Sequence, residues 1–428
     1  MMNEVDKETR NKIANGLRET AEKRKRQKVS VYEFKIDIHH IAKKDKEKLT
    51  RWFKEAKWAY NDCLATENIM AYNYAQHKTI TRLDKDGNKI EEKLTLPSVY
   101  HAGIINNLKQ NLVTLSKSKK HGIKVGALKF KSEINHLPMR TGFLKIKDIK
   151  TVSIPGFKNL KVYGLKQIED RDFDVANSVI IRKASGFYIK ATIYFNDYKK
   201  HETTNKQVGL DFGIKDNIVT SDREVFNCNV QESEYLKYLQ KQLHRKVKNS
   251  KRYCKLKNQI AKEQEHLANK RKDYANKTVS YLLKKYDTVY MQDEQIANWH
   301  KSKMKGFGKK VQHSYMGTIK AKLKMSKRCY IVPRYECTTR ICPECGLVKT
   351  KEQMPLSQRI FKCECGYVEN RDVNAAKVIM ISGSLKRAEC LEQASAETSS
   401  YTLLKISSIL QDVSMKRKQE DSTIYGGV

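Results

Sequence analysis

The stretch "KQVGLDFGIKDNIVTSD" spans residues 206–222. Two apolar runs flank a polar turn at Lys215, Asp216 and Asn217, so it reads as two strands folded back on each other. Along the first strand Val208, Leu210 and Phe212 point one way. Asp211 therefore points the other way, with Gly209 and Gly213 beside it. A carboxylate in mid-strand is a poor strand former unless charge is needed there.

Further along, "DTVYMQDEQI" (287–296) is a second apolar strand, and Glu294 stands at its end. A third acid, Asp372, opens a helix in which Ala375, Ala376 and Ile379 follow at i+3, i+4 and i+7, the spacing of a buried face. Two strands and a helix start thus each offer one carboxylate. Mg²⁺ prefers a few carboxylate oxygens together with water and substrate phosphate. Two such ions about 4 Å apart can activate water and stabilise the leaving oxygen of a phosphodiester. Spacing alone does not decide whether the three acids converge, and a single surface acid is ordinarily just solvated.

Between these acids lies "RICPECGLVKTKEQMPLSQRIFKCECGYVENRDVNAA" (340–376). Cys342 and Cys345 form a C-x-x-C knuckle, and Cys363 and Cys365 a C-x-C pair. Four thiolates suit tetrahedral zinc, and a closed four-cysteine shell is structural because it leaves no open position. Gly346 and Gly366 follow the second cysteine of each pair, where a tight turn is needed. Cys337 is the alternative ligand should the short C-x-C pair fail to close.

The chain has 428 residues and a net charge of +37, spread along its length. Charge of one sign on that scale points to a polyanionic partner, nucleic acid first. No run of about 20 apolar residues, signal peptide or basic amphipathic helix with a rich apolar face points to a membrane. Of the ten cysteines, those outside the cluster are scattered, which fits a reducing cytoplasm with one metal site.

Residues 1–28 read as a charged helix or disordered arm. Residues 29–205 read as a β-domain, barrel-like, with a helical insertion at about 45–118. Trp52 and Trp58 belong to its core-packing pattern. Residues 231–285 are long, polar and helical, with Leu236, Leu239, Leu243 and Val247 on one stripe, and the basic run at 244–257 suits a phosphate-facing surface. "HKSKMKGFGKK" (300–310) reads as a loop, either solvated or lying over a cleft. Residues 384–428 read as a loose tail.

The motifs "GLDFGIKDNIVTSD", "YMQDEQI" and "CPECG…RIFKCECGYVENRDVNAAKVI" together resemble the three RuvC motifs and zinc ribbon of TnpB. TnpB is the transposon-encoded RNA-guided nuclease related to miniature type V CRISPR effectors. The specific resemblance covers about 205–383. It implies an α+β multidomain chain: an N-terminal wedge-like β-barrel with a helical recognition insertion, then an RNase H-like (RuvC) α/β domain. The nuclease domain would occupy 206–336 and a last helix at 371–383, with the zinc ribbon inserted at 337–370.

The resemblance further implies that Asp211, Glu294 and Asp372 bind catalytic Mg²⁺ for phosphodiester cleavage. The expected partners are a guide RNA and a double-stranded target DNA carrying a short adjacent motif, with base pairing supplying the sequence specificity. One or two copies would act on one RNA, in the cytoplasm of a prokaryote at the nucleoid.

Three departures stand out. "QDEQI" offers Asp293 beside Glu294, and Glu294 fits the spacing. A C-x-C pair replaces the commoner C-x-x-C. "NRD" (370–372) replaces "DRD" and drops one acid. The alternatives are a nuclease-dead RNA-guided repressor, a tyrosine transposase and a zinc-ribbon nucleic-acid binder without chemistry. Retention of all three acids argues against the first. The second lacks its His-hydrophobe-His motif, and the third leaves Asp211 and Asp372 unexplained.

Overall fold

The structure is a computed structural model that describes residues 2–83, 86–196, 203–301, 307–355 and 357–392. It divides into two compact units, Met1–Lys200 and His201–Val428.

In the first unit, helix α1 (Met2–Arg26) leads into strand β1 (Lys28–Ile36). The insertion follows: α2 (Lys43–Ala65), a hairpin of β2 (Thr79–Leu83) and β3 (Lys89–Lys93), and α3 (Ser98–Lys120). The chain then returns through β4 (His136–Met139), β5 (Lys145–Ile146), β6 (Thr151–Ile154), β7 (Phe157–Tyr163), β8 (Phe173–Lys183) and β9 (Gly186–Phe195). These strands and β1 form one antiparallel sheet in the order β4-β8-β9-β1-β7-β6-β5.

This corrects the expected closed barrel to a half-barrel. Its end strands β4 and β5 do not pair with each other among the described residues. They are too short, at four and two residues, to close a ladder. Helices α2 and α3 supply much of the core instead. Phe34 and Ile189 of the sheet pack with Trp52, Phe53, Tyr100 and Leu108.

Trp52 is fully buried, its ring centroid 5.4 Å from Tyr100 and 5.3 Å from Phe157. Gly156, at φ +87°, lies so close to the Trp52 ring that no Cβ fits. Trp58 is only half-buried. Glu55 is fully buried within α2 and accepts from the backbone amides of Thr95 and Leu96, the Thr95 hydroxyl and Arg51. A buried carboxylate is tolerated because every bond it needs is met.

The second unit opens with β10 (Gln207–Phe212), β11 (Ile218–Thr220) and β12 (Val225–Phe226), paired antiparallel. Helices α4 (Glu234–His244) and α5 (Lys251–Lys285) precede β13 (Thr288–Gln292). Then come α6 (Phe307–His313), α7 (Met316–Lys324) and β14 (Cys329–Val332). A hairpin of β15 (Ile360–Lys362) and β16 (Val368–Asn370) leads into α8 (Arg371–Glu392). The sheet order is β12-β11-β10-β13-β14, with β13 parallel to both β10 and β14.

One face of this sheet buries Val208, Leu210, Val289 and Met291 among Leu236, Leu267, Leu282 and Ile319 of α4, α5 and α7. The other face carries α8: Tyr290 and Val332 pack on Ile379, and Gly383 fits under the Tyr290 ring. Val247 does not join the expected leucine stripe, because it lies in the turn between α4 and α5 and is 79% exposed. Helix α8 continues to Glu392, past residue 383 where a loose tail is expected. The rest of that tail, from 393, and residues 302–306 of the lysine-rich loop lie outside the described residues, while 307–310 begin α6. No helix among the described residues is long and apolar enough to cross a membrane.

Candidate metal-binding active site

Strand alternation on β10 puts Gly209 and Asp211 on the face opposite Val208 and Leu210, the face that carries α8. Gly209 lies against the Ala376 carbonyl of that helix. Neighbouring β13 runs parallel with Leu210 beside Met291, so its C-terminal end brings Glu294 next to the end of β10. Asp372 sits in the first turn of α8. That turn is capped by Asn370, whose Oδ1 accepts from the amides of Asp372 at 2.8 Å and Val373 at 3.4 Å. The asparagine of "NRD" is therefore the helix cap, a role its side chain fills without a charge.

The charges of the other two acids reach Asp211. Asp211 is half-buried. Desolvation first, then the negative charges of Asp372 and Glu294, push its carboxyl up to about 8. Arg371 and the Phe212 amide pull the other way. Of the adjacent pair on the second strand, Glu294 weighs on Asp211. Asp293 is half-exposed and pairs with Lys320 at 3.2 Å. The Lys320 ammonium also donates to the Glu294 carbonyl oxygen.

Sequence reasoning missed the scaffold around these acids. Arg371 is 7% exposed, and its Nη1 donates to the carbonyls of Pro355 at 2.9 Å and Gln358 at 3.5 Å. Arg359 Nη1 stands 3.7 Å from Asp372 Oδ2. Gln292, the last residue of β13, donates through Nε2 to the carbonyls of Pro333, Arg334 and Glu336 at 3.2, 3.1 and 2.9 Å. The buried Glu336 carboxylate in turn binds Ser382 and Lys386 of α8. A glutamine closing an otherwise apolar strand is the one signal that could have flagged this clasp.

The four cysteines form a separate site. The Sγ atoms of Cys342, Cys345, Cys363 and Cys365 all lie within 4.8 Å of one another. Cys342 to Cys365 is 3.7 Å and Cys345 to Cys363 is 3.5 Å. A zinc–sulfur bond of about 2.3 Å sets tetrahedral edges of about 3.8 Å, so the sulfurs fit zinc. Gly346 and Gly366 turn at φ +79° and +91°. Behind each turn an amide closes the knuckle, Cys342 N–H to Leu347 at 2.9 Å and Cys363 N–H to Tyr367 at 2.8 Å. Cys337 stays outside the cluster, buried with Ile341 and Val378.

The cysteine module grips the start of α8. Fully buried Asn374 donates to the Ile341 carbonyl at 3.0 Å, one residue before the first ligand. The Arg371 amide donates to the Arg359 carbonyl at 2.8 Å. Glu369, on the strand entering α8, binds Arg223 at 2.8 Å and Lys377 at 3.0 Å.

Comparison with known proteins finds matches over both sites. Residues 189–303 match the family described as "Probable transposase", which takes in Asp211 and Glu294. Residues 315–379 match the family described as "Cas12f1-like, TNB domain", which takes in the four cysteines and Asp372. A relative from Streptomyces pristinaespiralis, named "Putative RNA-guided DNA endonuclease", is 26% identical over 188 residues. That match spans 42% of this chain and 46% of the relative, less than half of its length. A chain of the "Cryo-EM structure of the Cas12f1-sgRNA-target DNA complex" aligns with a TM-score of 0.44 at 13% identity, over 82% of this chain and 98% of that one. The family matches fall on the motifs that carry the resemblance.

Proposed function

We propose that this chain is an RNA-guided DNA endonuclease with a single RuvC-type site, where Asp211, Glu294 and Asp372 hold Mg²⁺. The observation that carries the proposal is the Asp211 carboxyl, pushed up to about 8 by desolvation first and then by the negative charges of Asp372 at the start of α8 and Glu294 past the end of β13. Such an excess of negative charge is relieved by a hard cation with oxygen ligands. The strand order β12-β11-β10-β13-β14, with α8 on the acid-bearing face, supports the RNase H-like reading.

Mg²⁺, when bound there, supplies the positive charge that activates water and stabilises the leaving 3′ oxygen. The chain's own residues hold the frame. The Arg371 cation opposes protonation of Asp211. Arg359 faces Asp372 and leaves the site one cation that can meet substrate phosphate. Lys320 fixes the Glu294 peptide, and Gln292 ties the strand before it to the chain after β14. The four-cysteine module, closed by zinc, keeps the first turn of α8 in place.

A guide RNA would pair with double-stranded DNA, the first unit would read a short motif beside the target, and the protein would act as a monomer or homodimer on one RNA. The charge of +37 supports nucleic-acid partners. Retention of all three acids argues against the nuclease-dead repressor. The test is to purify the protein from cells carrying its own flanking DNA and to sequence the RNA that accompanies it. One abundant RNA ending in a variable segment is the expected result. Random cellular RNA alone would refute guiding.

A further inference from the structure

The corner between α4 and α5 is a concentrated cationic feature that the site leaves unused. Residues 245–257 hold seven lysines and arginines and no acid. Arg245, Lys248, Lys251, Arg252, Lys255 and Lys257 are exposed, and Lys246 is half-buried. None of the seven makes an ion pair among the described residues. Other cations of the molecule are matched: Arg223 pairs with Glu369 at 2.8 Å, Lys285 with Glu224 at 2.7 Å and Arg51 with Glu55 at 2.6 Å. Unpaired like charges this close repel one another unless a polyanion lies across them.

Aromatic surface runs into this corner. On α4, Leu236 and Leu239 face the core, and Tyr235 and Tyr238 are 52% and 55% exposed. Tyr235, Tyr238, Gln242 and Arg245 follow at i, i+3, i+7 and i+10, one stripe of the helix that ends at the corner. The tip of the corner is Val247, 79% exposed. Two stacking platforms on a stripe that leads to Arg245, an uncovered apolar tip and seven free cations around the corner suit a strand with accessible bases and a phosphate backbone. Duplex binding would use the cations and leave the tyrosines idle.

We infer that this strip, Tyr235 and Tyr238 with residues 245–257, is a docking surface for an unpaired stretch of RNA. RNA is favoured over DNA because the proposed function makes RNA the resident polyanion, present before any target arrives, and the inference rests on that reading to this extent. A surface whose charges are unbalanced in the free protein calls for a standing occupant.

The test is ultraviolet crosslinking of the full chain as isolated from cells with its RNA, followed by mapping of the nucleotide-bearing peptides. Adducts of ribonucleotides on Tyr235, Tyr238 or the 245–257 peptide are expected. Adducts confined to other peptides, or deoxyribonucleotide adducts at this strip, would overturn the inference.

A second measurement uses a 20-nucleotide oligouridylate as the probe, with affinity read against salt. The triple variant Arg245→Ala, Lys251→Ala, Arg252→Ala should lower the salt slope by about 2, at about 0.7 per phosphate contact for a single strand. Tyr235→Ala with Tyr238→Ala should lower affinity about thirtyfold or more and leave the slope unchanged. An unchanged slope in the triple variant, or full affinity in the tyrosine variant, would also overturn it. Guiding is judged by which RNA is found and docking by where it lies, so either can fail alone.

Discussion

Gly209 of the central strand lies against the Ala376 carbonyl of α8, with no room for a Cβ between them. This contact sets how near α8 comes to the sheet. Asp211 is two residues along the same strand, and Asp372 is one helical turn before Ala376. Gly209→Ala should therefore cost about 3 kcal/mol of stability through overpacking. It should also separate the acids and weaken cleavage. Chemical denaturation and a cleavage assay on the same variant check both, and a stable, fully active variant would contradict the packing argument.

Asp293 and Glu294 are adjacent, yet their carboxylates differ: that of Asp293 pairs with Lys320, and that of Glu294 weighs on Asp211. Glu294→Gln, like Asp211→Ala and Asp372→Ala, should reduce cleavage at least about a hundredfold and leave nucleic-acid binding intact. Asp293→Asn should keep most of the activity, because its partner is Lys320. Lys320→Met removes the donor to the Glu294 carbonyl and should raise the Mg²⁺ concentration for half-maximal cleavage about tenfold. An Asp293→Asn protein as inactive as Glu294→Gln would reverse the assignment.

The cysteine cluster makes a compositional prediction. Purified protein should carry about one zinc per chain, and Cys363→Ser should lose it together with thermal stability. Cys337→Ser should keep its zinc, since that thiol lies in an apolar pocket outside the cluster. Metal analysis by mass spectrometry decides both. Retention of zinc and full cleavage by Cys363→Ser would separate the module from the active site.

In the first unit, Asp37 accepts from Tyr163 at 2.6 Å, contacts His40 Nδ1 at 2.5 Å, and accepts from the His39 amide at 3.1 Å. The Tyr163 hydrogen bond is the chief reason its carboxyl falls to about 2, below its ordinary 3.8, with His40 and His39 assisting against burial. A depressed carboxyl stabilises the fold above its unfolded value, and the gain fades as pH drops towards the folded value. The stability gap between the wild type and Asp37→Asn should thus be full at neutral pH and shrink between pH 3.8 and about 2. Denaturant midpoints across that range test it, and a gap that grew with acid would contradict the sign.

What could be read from the sequence was local. Alternation on "VGLDFGI" gives the facing of Asp211, and the cysteine spacing with Gly346 and Gly366 gives the two knuckles. Other features depend on partners far along the chain. Gln292 bonds carbonyls at 333–336, Lys320 reaches the end of β13, and Arg371 anchors in the loop before β15. No periodicity announces these. The barrel failed to close for a related reason: β4 and β5 are short, and α2 and α3 fill the core in place of further pairing, which alternation within a strand does not report. Val247 matched the leucine stripe by spacing alone, but Asn249, at φ +66°, and the Ser250 cap break the helix before α5.

The most direct test of the central claim is retargeting. The protein is assembled with its co-purified RNA, the variable segment is replaced by a chosen sequence, and Mg²⁺ cleavage is followed on matched and unmatched duplexes. Cleavage should move to the newly matched duplex and vanish in Asp211→Ala. Cleavage that ignores the RNA segment, or that persists in Asp211→Ala, would contradict the account.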